Sequence, residues 1–138
     1  MNETPFEVDT LTAAHAYAKA FNTLDIKHLK PLLAENLHYH SQWVLEEFHK
    51  KSDYLEYLQS KFNTLKASDF TAYAEIGIAT PATMFVPRGH HCVLMAQGEK
   101  DDLKATVIFE TDGEHITKIG MCMVPTVESI KRTGNYPH

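Results

Sequence analysis

The sequence predicts an α+β fold in which three N-terminal helices pack on one face of a curved antiparallel sheet. Two observations carry this. Up to about Lys66, outside one short strand-like stretch, the apolar residues recur every three or four positions. From Phe70 onward they recur every second position, in runs separated by turn residues at hairpin spacing. A third observation sets the scale: 138 residues, 43% of them apolar, with a net charge of −5, suit one compact domain spanning residues 1–138.

In chain order, Met1 to Val8 is a polar entry containing Pro5. From Thr10 to Leu24 the residues Ala14, Tyr17, Ala18, Phe21 and Leu24 form one stripe of an amphipathic helix. Asp25 offers an N-cap for a second helix, IKHLKPLLA, which Pro31 should keep short or kinked. The stretch NLHYHSQWVLEEFH (36–49) then reads as two short strands folding back on each other. Ser52 or Asp53 can cap a third helix, with Glu56 as the capping-box partner of Asp53. Its apolar face is Leu55, Leu58, Phe62 and Leu65 with Tyr54 alongside, and it should run to about Lys66. Next, Phe70, Ala72, Ala74, Ile76 and Ile78 alternate with Thr71, Tyr73 and Glu75, as in a strand with one buried face. The two-proline loop ATPATMFVPRG leads into HHCVLMAQ, the turn GEKDD, LKATVIFE, the turn TDGE and HITKIGMCMV, all strand-like.

Composition excludes several classes of function. MNETPFEVDT lacks the positive start and apolar run of a secretory leader, and no segment approaches the roughly 18 apolar residues of a membrane span, so a cytoplasmic protein is expected. Cys92 and Cys122 sit inside apolar strands, as reduced buried thiols do. A mildly acidic chain with no Lys/Arg block offers nucleic acid no footprint. No Gly-rich phosphate loop, GxSxG elbow or HExxH helix is present, and no cofactor is expected. His38 and His40 share a strand face at metal-ligand spacing, with His90 or His91 as a possible third ligand. The pair is similar to a cupin motif, but Glu46 stands too far along for the acid that should follow, so no metal site is expected.

The order of elements, together with AYAKAFNTLDIKHLKPLLAENLHYHS, KKSDYLEYLQSKF and DGEHITKIGMCMV, resembles the nuclear transport factor 2-like superfamily. That group includes SnoaL-like polyketide cyclases and ketosteroid isomerases, and shares the cystatin-like plan. The resemblance implies a cone-shaped sheet with a ligand pocket at its open end, and a homodimer. It also implies that Tyr17 takes the place of the isomerases' oxyanion-hole tyrosine, before the turn Asn22–Asp25. At the positions of their catalytic base and second acid stand Ser41 and Val107. A serine with no adjacent base cannot abstract a carbon-bound proton at neutral pH, so the isomerase reaction itself is not expected. If the protein is an enzyme, Tyr17 is the expected hydrogen-bond donor to a carbonyl or enolate oxygen, with a histidine such as His40, or water, as base.

Strand alternation turns Leu37, Tyr39, Ser41 and Trp43 inward and His38, His40 and Gln42 outward. It also turns Ile119, Met121 and Met123 inward and Cys122 outward; a one-residue slip would exchange the sets. The expected pocket is lined by Phe21, Leu58 and Phe62 from the helices and by Tyr39, Ser41, Trp43, Val107, Ile119, Met121 and Met123 from the strands. Such a lining suits a flat or hydrophobic small molecule. Two functions fit: small-molecule binding, with or without isomerase-, cyclase- or dehydratase-type turnover, and a non-catalytic dimerisation or partner-docking module. An outer sheet face exposing Cys122 and Val124 would itself favour a homodimer.

Overall fold

The computed structural model describes residues 7–81, 83 and 86–138. Pro5 and most of the polar entry lie outside the described residues, as do positions 82, 84 and 85 of the two-proline loop.

Helix α1 (Thr10–Thr23) is capped by Asp9, whose carboxylate accepts a hydrogen bond from the Thr12 amide at 2.8 Å. It ends where Leu24 turns into the left-handed region, with φ at 53°. Its Ala14, Tyr17, Ala18 and Phe21 are buried, as the stripe requires. The second expected helix is short and broken: IKHLKPLLA forms two 3₁₀ turns, Ile26–His28 and Lys30–Leu32, and the chain is already extended at Leu33. Pro31 lacks the backbone donor that a longer helix would need and crowds the turn before it. Helix α2 (Lys51–Ala67) begins earlier than the expected capping box. Lys50 holds the cap position without a side-chain bond, and Asp53 falls inside the first turn, where its charge suits the helix dipole.

The strands are β1 (Leu33–Ser41), β2 (Glu47–Phe48), β3 (Ala72–Ala79), β4 (His91–Gln97), β5 (Leu103–Thr111), β6 (Ile116–Cys122) and β7 (Ile130–Asn135). They form one open, curved sheet in the order β2-β1-β6-β5-β4-β3-β7. The sheet is mixed rather than wholly antiparallel, because β1 runs parallel to β6 while the other pairs are antiparallel. Strand β7, IKRTGN, has no apolar alternation to announce it. As an edge strand it is exposed after Ile130 and is held by pairing to β3.

Strand register sorts the residues into two layers. Ile76, Val93, Val107, Met121 and Ser41 align across the inner face, under the helices. Glu75, Leu94, Thr106 and Cys122 align across the outer face, and all four are buried. The expectation of an exposed outer face is therefore overturned at Cys122, which is 2% exposed. The chain covers this face itself: after β6 it passes through the 3₁₀ turn Val127–Ser129 and returns as β7 beside β3. Val127, Ile130 and Val86 join Cys92, Leu94 and Ile108 in a second small core. Ile130 lies so close over Gly77 that a Cβ there would collide with its side chain. Among the described residues no helix is long and apolar enough to cross a membrane.

One charge is built into the outer layer. Glu75 is 1% exposed, and Arg132 Nε (2.9 Å), the Gly134 amide (2.7 Å) and the Tyr136 hydroxyl (3.2 Å) donate hydrogen bonds to its carboxylate. Arg132 also reaches Asp101 at 2.9 Å, so one guanidinium joins β7, β3 and the β4–β5 turn.

Candidate functional site

The inner face does not pack completely. Between α2 and the strands β1, β6, β5 and β4 lies a cavity of about 480 Å³. Phe21, Leu65, Met95, Ala105 and Met121 give it an apolar wall, and small side chains at Ala72, Ala96 and Ala105 leave the space open. Trp43 and Val44, in the turn after β1, stand at its mouth and are 47% and 58% exposed.

That turn is braced on both sides. Ser41 Oγ accepts from the Trp43 and Val44 amides at 3.2 and 3.4 Å. Gln42 Oε1 accepts from the Met123 and Val124 amides at 2.7 and 3.1 Å. The β1–β2 turn and the turn after β6 are thus tied side by side, with Leu45, Met123 and Val124 exposed next to the mouth.

Of the side chains expected in the pocket, Phe21, Ser41, Trp43 and Met121 line the cavity. Tyr39, Leu58, Phe62, Val107 and Ile119 belong to the solid core instead. Met123 is corrected outright: β6 ends at Cys122, alternation stops with it, and the Met123 side chain is half exposed. Neither candidate catalytic group reaches the cavity. Tyr17 is sealed in the core, 4.8 Å from the Phe21 ring and 5.5 Å from that of Phe109 between centroids. Burial there holds its phenol well above the ordinary tyrosine value. His40 stands on the opposite sheet face, its imidazole over Gly120 and its Nδ1 buried without a partner. Burial pulls its pKa down, with Lys118 adding to the effect.

The polar groups that do face the cavity come mainly from positions outside the expected pocket lining. Helix α2 contributes Tyr57 and Lys61, and the far rim holds Gln97 and Lys104. Lys104 is balanced by Asp102 at 3.0 Å, whereas Lys61 makes no ion pair among the described residues. Its ammonium lies 5.8 Å from the centre of the Phe21 ring, within cation–π range. Burial among apolar side chains lowers its pKa. A signal for it existed: Tyr54, Leu58, Lys61 and Leu65 follow helical spacing, so the lysine interrupts the apolar stripe of α2. Next to the cavity, Tyr39 is raised strongly by burial, with Tyr57 and Ser41 as its side-chain neighbours.

Chemically, the described lining offers two amines, a phenol, a hydroxyl, an amide and an indole N–H, and no carboxylate or imidazole. It can hold a flat apolar body and meet a negative charge. It has no carboxylate base for isomerase-type proton abstraction. Elsewhere, His90 and His91 do not join His38 and His40, because β6 and β5 separate β4 from β1.

No family model matches the chain, and no curated protein matches it in sequence. Solved structures do resemble it. A nuclear transport factor 2-like protein of unknown function from Cytophaga hutchinsonii aligns at TM-score 0.55 and 12% identity, over 88% of this chain and 93% of that one. An LEH-like epoxide hydrolase from Mycobacterium tuberculosis aligns at TM-score 0.55 and 15% identity, over 86% and 81%. A domain of unknown function with a cystatin-like fold from Nostoc punctiforme aligns at TM-score 0.52 and 13% identity, over 86% and 77%. The fold is thus the nuclear transport factor 2-like, cystatin-like one that the order of elements predicted.

Proposed function

We propose that the protein binds a small, flat or hydrophobic molecule carrying an anionic group in the cavity beneath α2. The observation that carries this reading is Lys61, a cation set among apolar side chains with no carboxylate partner among the described residues. Holding a charge there costs free energy that a neutral side chain would not, and a bound anion recovers it. The apolar wall and the half-exposed Trp43 supply a platform for the rest of such a molecule. Fold alone selects no activity, so the assignment rests on this site. Two buried free thiols suit a cytoplasmic setting.

The test is a thermal-shift panel of aromatic and aliphatic carboxylates, each paired with its methyl ester. The carboxylates should raise the melting temperature more than the esters; saturation near 100 times Kd corresponds to about 2.7 kcal/mol. Equal shifts would remove the anion from the proposal, and no shift with any compound would remove the ligand.

One observation favours the second reading, a homodimer built on the same scaffold. Trp43, Val44, Leu45, Met123 and Val124 expose apolar surface together at the mouth, and a second copy would cover it. Light scattering should then give a mass that rises with concentration. A constant monomer mass overturns this reading.

A further inference from the structure

We propose that His38, Glu47 and His49 form a binding site for one divalent transition-metal ion of the zinc class, on the outer side of the β1–β2 edge. The ligands are assembled by strand register. Tyr39 pairs with Phe48 and His40 with Glu47, so His38 stands opposite His49. Tyr39 and Phe48 pack toward the core, which leaves His38, Glu47 and His49 together on the other face, away from the cavity.

Their ligand atoms lie close together. His38 Nε2 lies 2.7 Å from Glu47 Oε2, and His49 Nε2 lies 3.6 Å from Glu47 Oε1. The two imidazoles stack with centroids 4.7 Å apart and planes 6° from parallel, and each presents its Nε2 to the same carboxylate, so a tilt of the rings toward each other would bring both nitrogens onto one ion. One ligand atom from each of the three lies within 4.8 Å of the others. Ligand atoms about 2.0–2.1 Å from a tetrahedral zinc stand roughly 3.4 Å from one another, so shifts of about 1 Å would close the shell. The side chains are 34%, 55% and 70% exposed, so they are free to make that adjustment and an ion can reach them.

The donor set names the class of ion. Two imidazole nitrogens and one carboxylate suit zinc, cobalt, nickel or copper, whereas calcium and magnesium favour all-oxygen shells. Three protein ligands leave a position for water. Strand β2 has only two residues, so an ion here would also clip it to β1. The sequence pairs His38 with His40 by spacing; it is the turn between β1 and β2 that brings His49 and Glu47 instead.

The experiment uses tag-free protein stripped with a chelator. It is titrated with Zn²⁺ against a chromophoric competitor, and with Co²⁺ followed by its visible absorption. One equivalent should bind, Co²⁺ should show the intense bands of a tetrahedral site, and the melting temperature should rise. His49→Ala and Glu47→Gln should each weaken Zn²⁺ binding at least about tenfold, while His90→Ala should leave it unchanged. Circular dichroism would verify that these surface variants remain folded. Absence of micromolar binding, or binding that both variants retain, would reduce the group to an ordinary surface ion pair and overturn the proposal.

Discussion

Glu75 on the outer face of the sheet and Lys61 on the inner side are both charges set among apolar residues, and the chain treats them in opposite ways. Glu75 receives three hydrogen bonds, one of them from a guanidinium, and the layer around it is filled. Lys61 receives no counter-charge among the described residues, and the layer beside it is hollow. A charge that the fold satisfies itself holds strands together. One that it leaves unsatisfied beside open space is available to a ligand, and under the proposed function the same polar chemistry would serve structure on one face and binding on the other.

The largest effect that would sharpen this contrast is in thiol reactivity, which reports whether the outer layer is sealed. Burial pushes the Cys92 thiol up to about 12 and raises Cys122 as well. At pH 8 the native protein should react with a thiol reagent roughly a thousandfold more slowly at Cys92 than the unfolded chain does. Rapid modification of native protein would mean that the C-terminal segment does not cover the outer face.

Next in size is the loss of a partner for Glu75. Arg132→Ala strands a buried carboxylate and should cost about 3 kcal/mol in urea unfolding. Lys61→Met should act in the opposite sense. Burial lowers the Lys61 pKa, so the native state holds that proton less tightly than the unfolded chain does. The charge therefore costs stability below the ordinary lysine value of 10.5, and the cost disappears as pH rises past it. At pH 7 the methionine variant should be as stable as the parent or more so. Equal destabilisation by both substitutions would break the comparison.

The smallest expected change is at Tyr17. Its phenol lies in the core and does not line the cavity, so Tyr17→Phe should leave ligand affinity within about twofold, as expected when no ligand contact is lost. A large loss would restore to Tyr17 the oxyanion role that the family resemblance implies.

Much of this was legible in the sequence wherever one physical rule acted alone. Alternation in LHYHS separated Leu37, Tyr39 and Ser41 from His38 and His40, because β1 has one face against the helices. It failed where rules competed. Pro31 divided a helical pattern into 3₁₀ turns. IKRTGN carries no periodic signal because its pairing to β3, not its side chains, makes it a strand. Cys122 was placed on the correct face but expected in solvent, since only tertiary structure shows that residues after β6 double back over that face. Lys61 and Glu75 were visible as charges inside apolar patterns, at helical spacing in one case and within AYAEIGIA in the other. Which of them the fold would pair depended on chain segments 57 and more residues away.

The most direct test of the account compares two fluorescent probes that share a ring system, anilinonaphthalene sulfonate and its uncharged parent phenylnaphthylamine, in the parent protein and in Lys61→Met. The sulfonate should bind the parent and lose about tenfold or more in affinity in the variant, the scale of one charge-assisted contact. Its binding to the parent should also fade as pH rises through a Lys61 value lying below 10.5. The uncharged probe should bind both proteins alike. Sulfonate affinity that survives the loss of Lys61, or a parallel fall for both probes, would contradict the claim that this lysine awaits an anion.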